Sequence, residues 1–268
     1  MPDRRLILLT NDDGIRSPGL WAAAKALEPL GFVVVVAPRQ QWSGAGRSLP
    51  ADSEGRIHQE QVEVNGQRWT VHAVDGTPAQ AVQHGLLEIV PRPPDLVVAG
   101  INYGENVGSG VTISGTIGAA LEAAAFGVPA LAVSLETEKM YHRTHSDEVN
   151  FKVAAYFTRY FAERLLGLPR VPDVDVWKVE VPAGATPDTE WRVVRQSRHR
   201  YYLPLKPVRA ALADSAPVDY GRKVEADEVE PDSDVGALLA GVVAVTPLSL
   251  DLTSRVEPDE LAALLSRP

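Results

Sequence analysis

RLILLTNDDGIRSPGL, residues 5–20, decides the fold. Its apolar run, 6–9, has no polar alternation, which marks a strand covered on both faces. The run stops at Asn11-Asp12-Asp13-Gly14. A helix over 18–28 follows, with Leu20, Ala24 and Leu27 on one side, and Pro29 and Gly31 end it. FVVVVAP, residues 32–38, reads as a second buried strand. Two buried strands joined by a helix make a βαβ unit, hence a parallel pair with a right-handed crossover. Asp12 and Asp13 bury no apolar surface, so their adjacency at a strand end calls for another explanation.

Outward from this unit, 62–71 alternates around Asn65-Gly66 and reads as a hairpin. Thr77 and Pro78 stand as N-cap and first residue of a helix. Strands follow at 95–100 and 129–135, around a helix over 116–127 closed by Gly127. Residues 146–169 read as a long amphipathic helix with acids in its first turn. Residues 174–182 alternate and read as a strand with one wetter face. Periodicity then fades over 183–234, returns as a strand at 241–250, and ends in a short helix at 259–268. The expectation is one α/β domain spanning 1–268, a three-layer, Rossmann-like, mostly parallel sheet, with an extended arm at 190–230 before the last strand.

The 268 residues are 45% hydrophobic and 23% charged, an ordinary globular composition. A net charge of -9 disfavours a stable nucleic-acid complex, which rewards clustered Lys and Arg. Without Cys there is neither a disulfide nor a thiolate metal site. The run 6–9 is too short for a signal-peptide core and no run approaches membrane length, so a cytoplasmic location is the default expectation.

In open parallel sheets ligands bind beyond the carboxyl ends of strands. Three strands here end in polar loops, carrying Asn11, Asp12 and Asp13, then Ser43 and Gly44, then Asn102 and Asn106. Two carboxylates, a hydroxyl and an amide are hard oxygen donors, suited to Mg²⁺, Mn²⁺ or Ca²⁺. A divalent cation would relieve the repulsion between the carboxylates, about 4 kcal/mol at 4 Å and an effective dielectric of 20. Ordinary turn chemistry is the competing account of Asn-Asp-Asp-Gly. Ser114, Gly115 and Thr116 open a helix, whose free N–H groups favour an anion; plain capping accounts for the same residues.

Sharper motifs are missing. There is no Walker A loop, no G-x-S-x-G elbow and no H-E-x-x-H. The D-G-T at Asp75 lacks the preceding acid of the haloacid-dehalogenase phosphatases. His142 and His145 fall in an expected loop and read as solvated. RHRYY, 198–202, can stack on bases, or else forms an exposed arm or an interface.

Taken in order, ILLTNDDGI, VVAP with SGAG, DGTPA, VVAGIN, SGT with EAA, and a late VTPL resemble the SurE family, the survival-protein 5'/3'-nucleotidases. The resemblance spans nearly the whole chain. It implies a metal-dependent phosphomonoesterase acting on nucleoside 5'- and 3'-monophosphates, with one Mg²⁺ or Mn²⁺ per subunit. The metal ligands would be Asp12, Asp13, Ser43 and Asn102, with Asp12 and Asp13 catalytic. Gly44, Asn106, Ser114, Gly115 and Thr116 would contact phosphate. Apart from the resemblance, the place of Asn11 at the end of its strand suits it to orient a ligand by hydrogen bonding. The family usually has an acid where Arg39 follows Ala37-Pro38. The same site could hydrolyse short oligonucleotides or polyphosphate from an end, and a non-catalytic nucleotide- or RNA-binding regulator is the rival from another class. The resemblance also implies that the arm builds a homodimer or homotetramer, with Tyr201, Tyr202 and Leu203 at the interface.

Overall fold

The computed structural model describes residues 4–64, 66–222, 224 and 228–266. Its main sheet contains β1 (Leu6–Thr10), β2 (Phe32–Pro38), β3 (Ile57–Val64), β4 (Gln67–Val74), β5 (Leu96–Tyr103), β6 (Ala130–Leu135), β7 (Val176–Val181), β8 (Trp191–Val193) and β11 (Val243–Leu248). The spatial order is β3-β4-β2-β1-β5-β6-β7-β11-β8. All neighbours run parallel except β3 with β4 and β7 with β11. This is the α/β, mostly parallel sheet expected. Asn65 of the expected hairpin turn lies outside the described residues, but Val64 pairs with Gln67 across it.

The run at 6–9 is buried on both faces, as its lack of alternation requires. Ile7 and Leu9 pack against helices α1 (Pro18–Leu27) and α4 (Lys152–Gly167). Leu8 packs on the other face with α2 (Pro78–His84) and α3 (Gly115–Ala125). Thr77 caps α2 in a reciprocal box: Gln80 N–H donates to its hydroxyl at 3.2 Å and Thr77 N–H donates to Gln80 Oε1 at 3.0 Å.

Two of the expected elements need correction. Helix α4 begins at Lys152 rather than near Ser146, so no acid stands in its first turn. Asn150 Oδ1 accepts from Lys152 N–H at 3.1 Å, and the acids Asp147 and Glu148 fall in the turn before it. Strand β7 has no wet face. Lys178 and Glu180 are both 0% exposed, because the sheet is covered on that side too.

The span 190–230 divides. Strand β8 joins the main sheet beside β11, while β9 (Tyr202–Leu205) and β10 (Asp219–Arg222) form a separate antiparallel pair. Residues 223 and 225–227 of this span lie outside the described residues. The root of the arm lies on its own chain. Tyr201 is 1% exposed, in a cluster with Val107, Val229, Val235 and Leu238. It is therefore covered by its own chain, contrary to the expectation that Tyr201 stands at a subunit interface. Helix α5 (Asp234–Leu239) precedes β11, and α6 (Pro258–Leu265) lies on the surface.

Candidate active site

The strand order explains where a site can form. From β1 the sheet runs to β2 on one edge and to β5 on the other. The crevice between the loops after β1, β2 and β5 is a topological switch point, where open α/β sheets bind ligands. Backbone bonds tie the first two loops together: Ile15 N–H donates to Pro38 O, and Trp42 N–H to Asp12 O, both at 2.8 Å. Gly14 turns the first loop at φ +98°, a conformation that suits glycine.

Asp12 and Asp13 are 5% and 1% exposed. Their hydrogen bonds come from neutral groups. Thr116 Oγ1 donates to Asp12. Gln41 Nε2 and Tyr103 N–H donate to the two oxygens of Asp13 at 3.0 and 3.3 Å. Burial pushes the Asp12 carboxyl up to about 6. Burial and then the neighbouring Asp12 charge push Asp13 well above its ordinary value. A buried carboxylate pair served only by neutral donors fits a bound cation. Among the described residues no cluster of three or more His, Cys, Asp or Glu could hold a metal. Any further ligands would then be neutral oxygens, and the Ser43 hydroxyl and the Asn102 amide stand at the same cavity as Asp12. Asn102 Nδ2 donates to Gly104 O at 2.6 Å, which frees its carbonyl oxygen for another partner.

Asp12, Ser43, Gly44, Asn102, Asn106 and Ser114 line one cavity of about 530 Å³. This is the usual size for a small-molecule site. Asp13, Gly115 and Thr116 stand behind that lining, against Asp12. A Cβ on Gly115 would lie 2.7 Å from Asp12 Cβ. Ser114 caps α3, accepting from Ile117 N–H at 3.2 Å. Asn11 lies apart from the cavity: its side chain donates to Gly14 O at 3.0 Å and accepts from Gly14 N–H at 3.1 Å. It shapes the turn that presents Asp12 and Asp13. A larger groove, about 960 Å³, runs past Trp21, Glu63 and Phe151 but contains none of the strand-end residues.

The far wall of the cavity was not foreseen. His142, expected to be solvated, is half-buried there, with Nδ1 3.0 Å from Tyr220 Oη and its ring stacked on Tyr220. Burial lowers its basicity. Its carbonyl accepts from Gln41 Nε2 at 2.8 Å, and His145 Nε2 sits 2.7 Å from Asp13 O, so this segment braces the acidic turn. Tyr202 Oη donates to Glu105 at 2.6 Å, and Arg143 and Arg200 stand at the rim. Of these, only the RHRYY stretch carried a signal in the sequence. Arg39 pairs with Asp75 at 3.5 Å.

A profile of the family described as Survival protein SurE matches residues 7–203. A protein named 5'-nucleotidase SurE from Archaeoglobus fulgidus is 42% identical over 256 residues, covering 94% of each chain. A protein of the same name from Thermococcus gammatolerans is 40% identical over 266 residues, 97% of this chain and 95% of its own. The crystal structure of the Sure protein from Aquifex aeolicus matches with a TM-score of 0.75 at 29% identity, covering 97% of this chain and 100% of that one.

Proposed function

The chain belongs to the SurE family, and from that premise we propose that it is a 5'-nucleotidase. It is a cytoplasmic, divalent-metal-dependent phosphomonoesterase that hydrolyses nucleoside 5'-monophosphates, and 3'-monophosphates with them, to nucleoside and phosphate. The observation that carries this reading is the buried pair Asp12 and Asp13, hydrogen-bonded by neutral donors, beside the start of α3 at one cavity.

Asp12, Asp13, Ser43 and Asn102 would hold the cation. When bound, a divalent ion supplies a Lewis acid for the phosphoryl group and eases deprotonation of water. The remaining work falls to the chain itself. Amides at the start of α3, with Gly44 and Asn106, bind phosphoryl oxygens where charge redistributes. Thr116 donates to one oxygen of Asp12, which would leave the other for the cation. Tyr202, Tyr220 and His142 offer aromatic surface for the base, which favours a nucleotide over a bare phosphate ester.

Arg143 and Arg200 at the rim favour a second reading at the same site, end-wise hydrolysis of short oligonucleotides or polyphosphate. Phosphate release from 5'- and 3'-mononucleotides, polyphosphate and a chromogenic ester, with and without Mn²⁺, separates these readings. Binding without turnover would instead support a nucleotide- or RNA-binding regulator.

The proposal includes a homodimer or homotetramer built through the arm. Its support is the exposed apolar chain beyond β9, with Val208 at 96% and Leu212 at 92% exposure.

A further inference from the structure

A buried ionic cluster lies one layer behind the cavity. Lys178 and Glu180 come from β7 and Asp234 from the start of α5, and all three are 0% exposed. Lys178 Nζ donates to Asp234 Oδ2 at 2.8 Å and lies 3.7 Å from Glu180 Oε1. Burial pushes the Glu180 carboxyl up to about 7 despite the attraction of Lys178. Three buried ionisable groups are a poor way to stabilise a fold, since apolar residues of similar volume often do better.

What the cluster holds is the backbone of the cavity wall. Glu180 Oε2 accepts from Asn106 N–H at 2.9 Å, and Lys178 Nζ donates to Asn106 O at 3.0 Å. Asn106 Nδ2 donates to Ser134 Oγ at 3.0 Å, on the neighbouring strand β6. Asn106 is thus gripped at its N–H, its carbonyl and its side-chain amide. None of the three gripping residues lines the cavity, whereas Asn106 does. Asp234 extends the grip: Oδ2 accepts from Gly108 N–H at 3.1 Å and Oδ1 from Ser197 N–H at 2.9 Å, at the root of the arm.

We propose that Glu180, Lys178 and Ser134 are positioning residues that fix Asn106 for phosphate. Ser134 takes one amide hydrogen of Asn106, and the other is left for a phosphoryl oxygen. The inference rests on the phosphatase reading, and it gives these inward-facing polar residues a role beyond stability.

Glu180→Met tests it. The change leaves Lys178 and Asp234 as a balanced pair but removes the acceptor at Asn106 N–H. With Mg²⁺ present, the Kd for inorganic phosphate by calorimetry should rise about 10–100-fold, and kcat/KM on a nucleoside monophosphate should fall by a similar factor. Glu180→Gln, which restores an acceptor oxygen, should recover most of both. In an Asn106→Ala background Glu180→Met should cost little more, because residues acting through one another are not additive. If Glu180→Met does not fold, Ser134→Ala loses only a hydroxyl and should raise the same Kd. Phosphate binding needs no turnover. A wild type that binds phosphate but releases none from esters would sink the phosphatase reading, and the inference would still be decided by the Kd values. The inference is overturned by a wild type that does not bind phosphate, by an unchanged Kd in the folded variant, by a Gln variant as impaired as the Met variant, or by full additivity with Asn106→Ala.

Discussion

Asp12 makes the fold and the chemistry compete. Its folded carboxyl holds a proton up to about pH 6 against an ordinary 3.8. The folded state then binds more protons than the unfolded one between those values. Metal-free stability should therefore be greatest below about pH 4 with respect to this group, and be lost as pH rises through 6. At one pKa unit per 1.36 kcal/mol, the loss is about 3 kcal/mol. Asp13, shifted the same way, adds to it. Asp12→Asn should flatten this slope and stabilise the chelated protein near neutral pH, where Thr116 can still donate to the side-chain oxygen. Urea unfolding in chelator across pH 4–8 reads both effects. Adding Mg²⁺ or Mn²⁺ should stabilise the wild type and leave Asp12→Asn nearly unmoved.

At the scale of elements, the site depends on how closely α3 approaches the loop after β2. A Cβ on Gly118 would lie 2.2 Å from Gly46 O, a backbone atom that cannot simply rotate away. Alanine usually favours a helix over glycine by about 1 kcal/mol. Gly118→Ala should nevertheless push the loop carrying Ser43 and Gly44 outward. We expect the Mn²⁺ concentration for half-maximal activity to rise about tenfold or more, as when a ligand loses its support. An unchanged metal requirement would show that the loop tolerates the shift. Elements differ in how well the sequence displays them. The central strands were legible because unbroken apolar runs leave no face for water. Strand β7 misled because Lys-Val-Glu alternates identically whether its polar residues face solvent or, as Lys178 and Glu180 do, other buried groups. The carboxylate pair was legible because no folding role explains it. His142 was not: its place depends on docking against Tyr220, 78 residues further along the chain.

At the scale of the whole molecule, the arm both closes the cavity and reaches away from it. Tyr202 and Tyr220 form part of the cavity wall, and Lys139 and Arg222 anchor β10 through Asp219 at 2.7 Å and Glu136 at 2.9 Å. These ion pairs are open to solvent on at least one partner, each worth about 1 kcal/mol, so the buried Tyr201 is the firmer anchor. In the loop that joins β9 to β10, Val208 and Leu212 are nearly fully exposed. Val208→Ser with Leu212→Ser should shift sedimentation toward monomer while the fold remains intact. An unchanged oligomer would remove the arm tip from the interface. The weak periodicity of 183–234 hid this double role, since a hairpin lying on a loop cluster has no repeating apolar face.

If Asp12 and Asp13 hold a divalent cation on which phosphomonoester hydrolysis depends, phosphate release from adenosine 5'-monophosphate must report it, measured for the wild type, Asp12→Asn and Asp13→Asn across a Mn²⁺ titration after chelation. Chelator should stop the wild type and Mn²⁺ restore it, while each variant stays about 10²–10⁴-fold lower at every Mn²⁺ concentration, with its fold retained by circular dichroism. Near-normal turnover by Asp12→Asn or Asp13→Asn, with the metal requirement of the wild type, would contradict it.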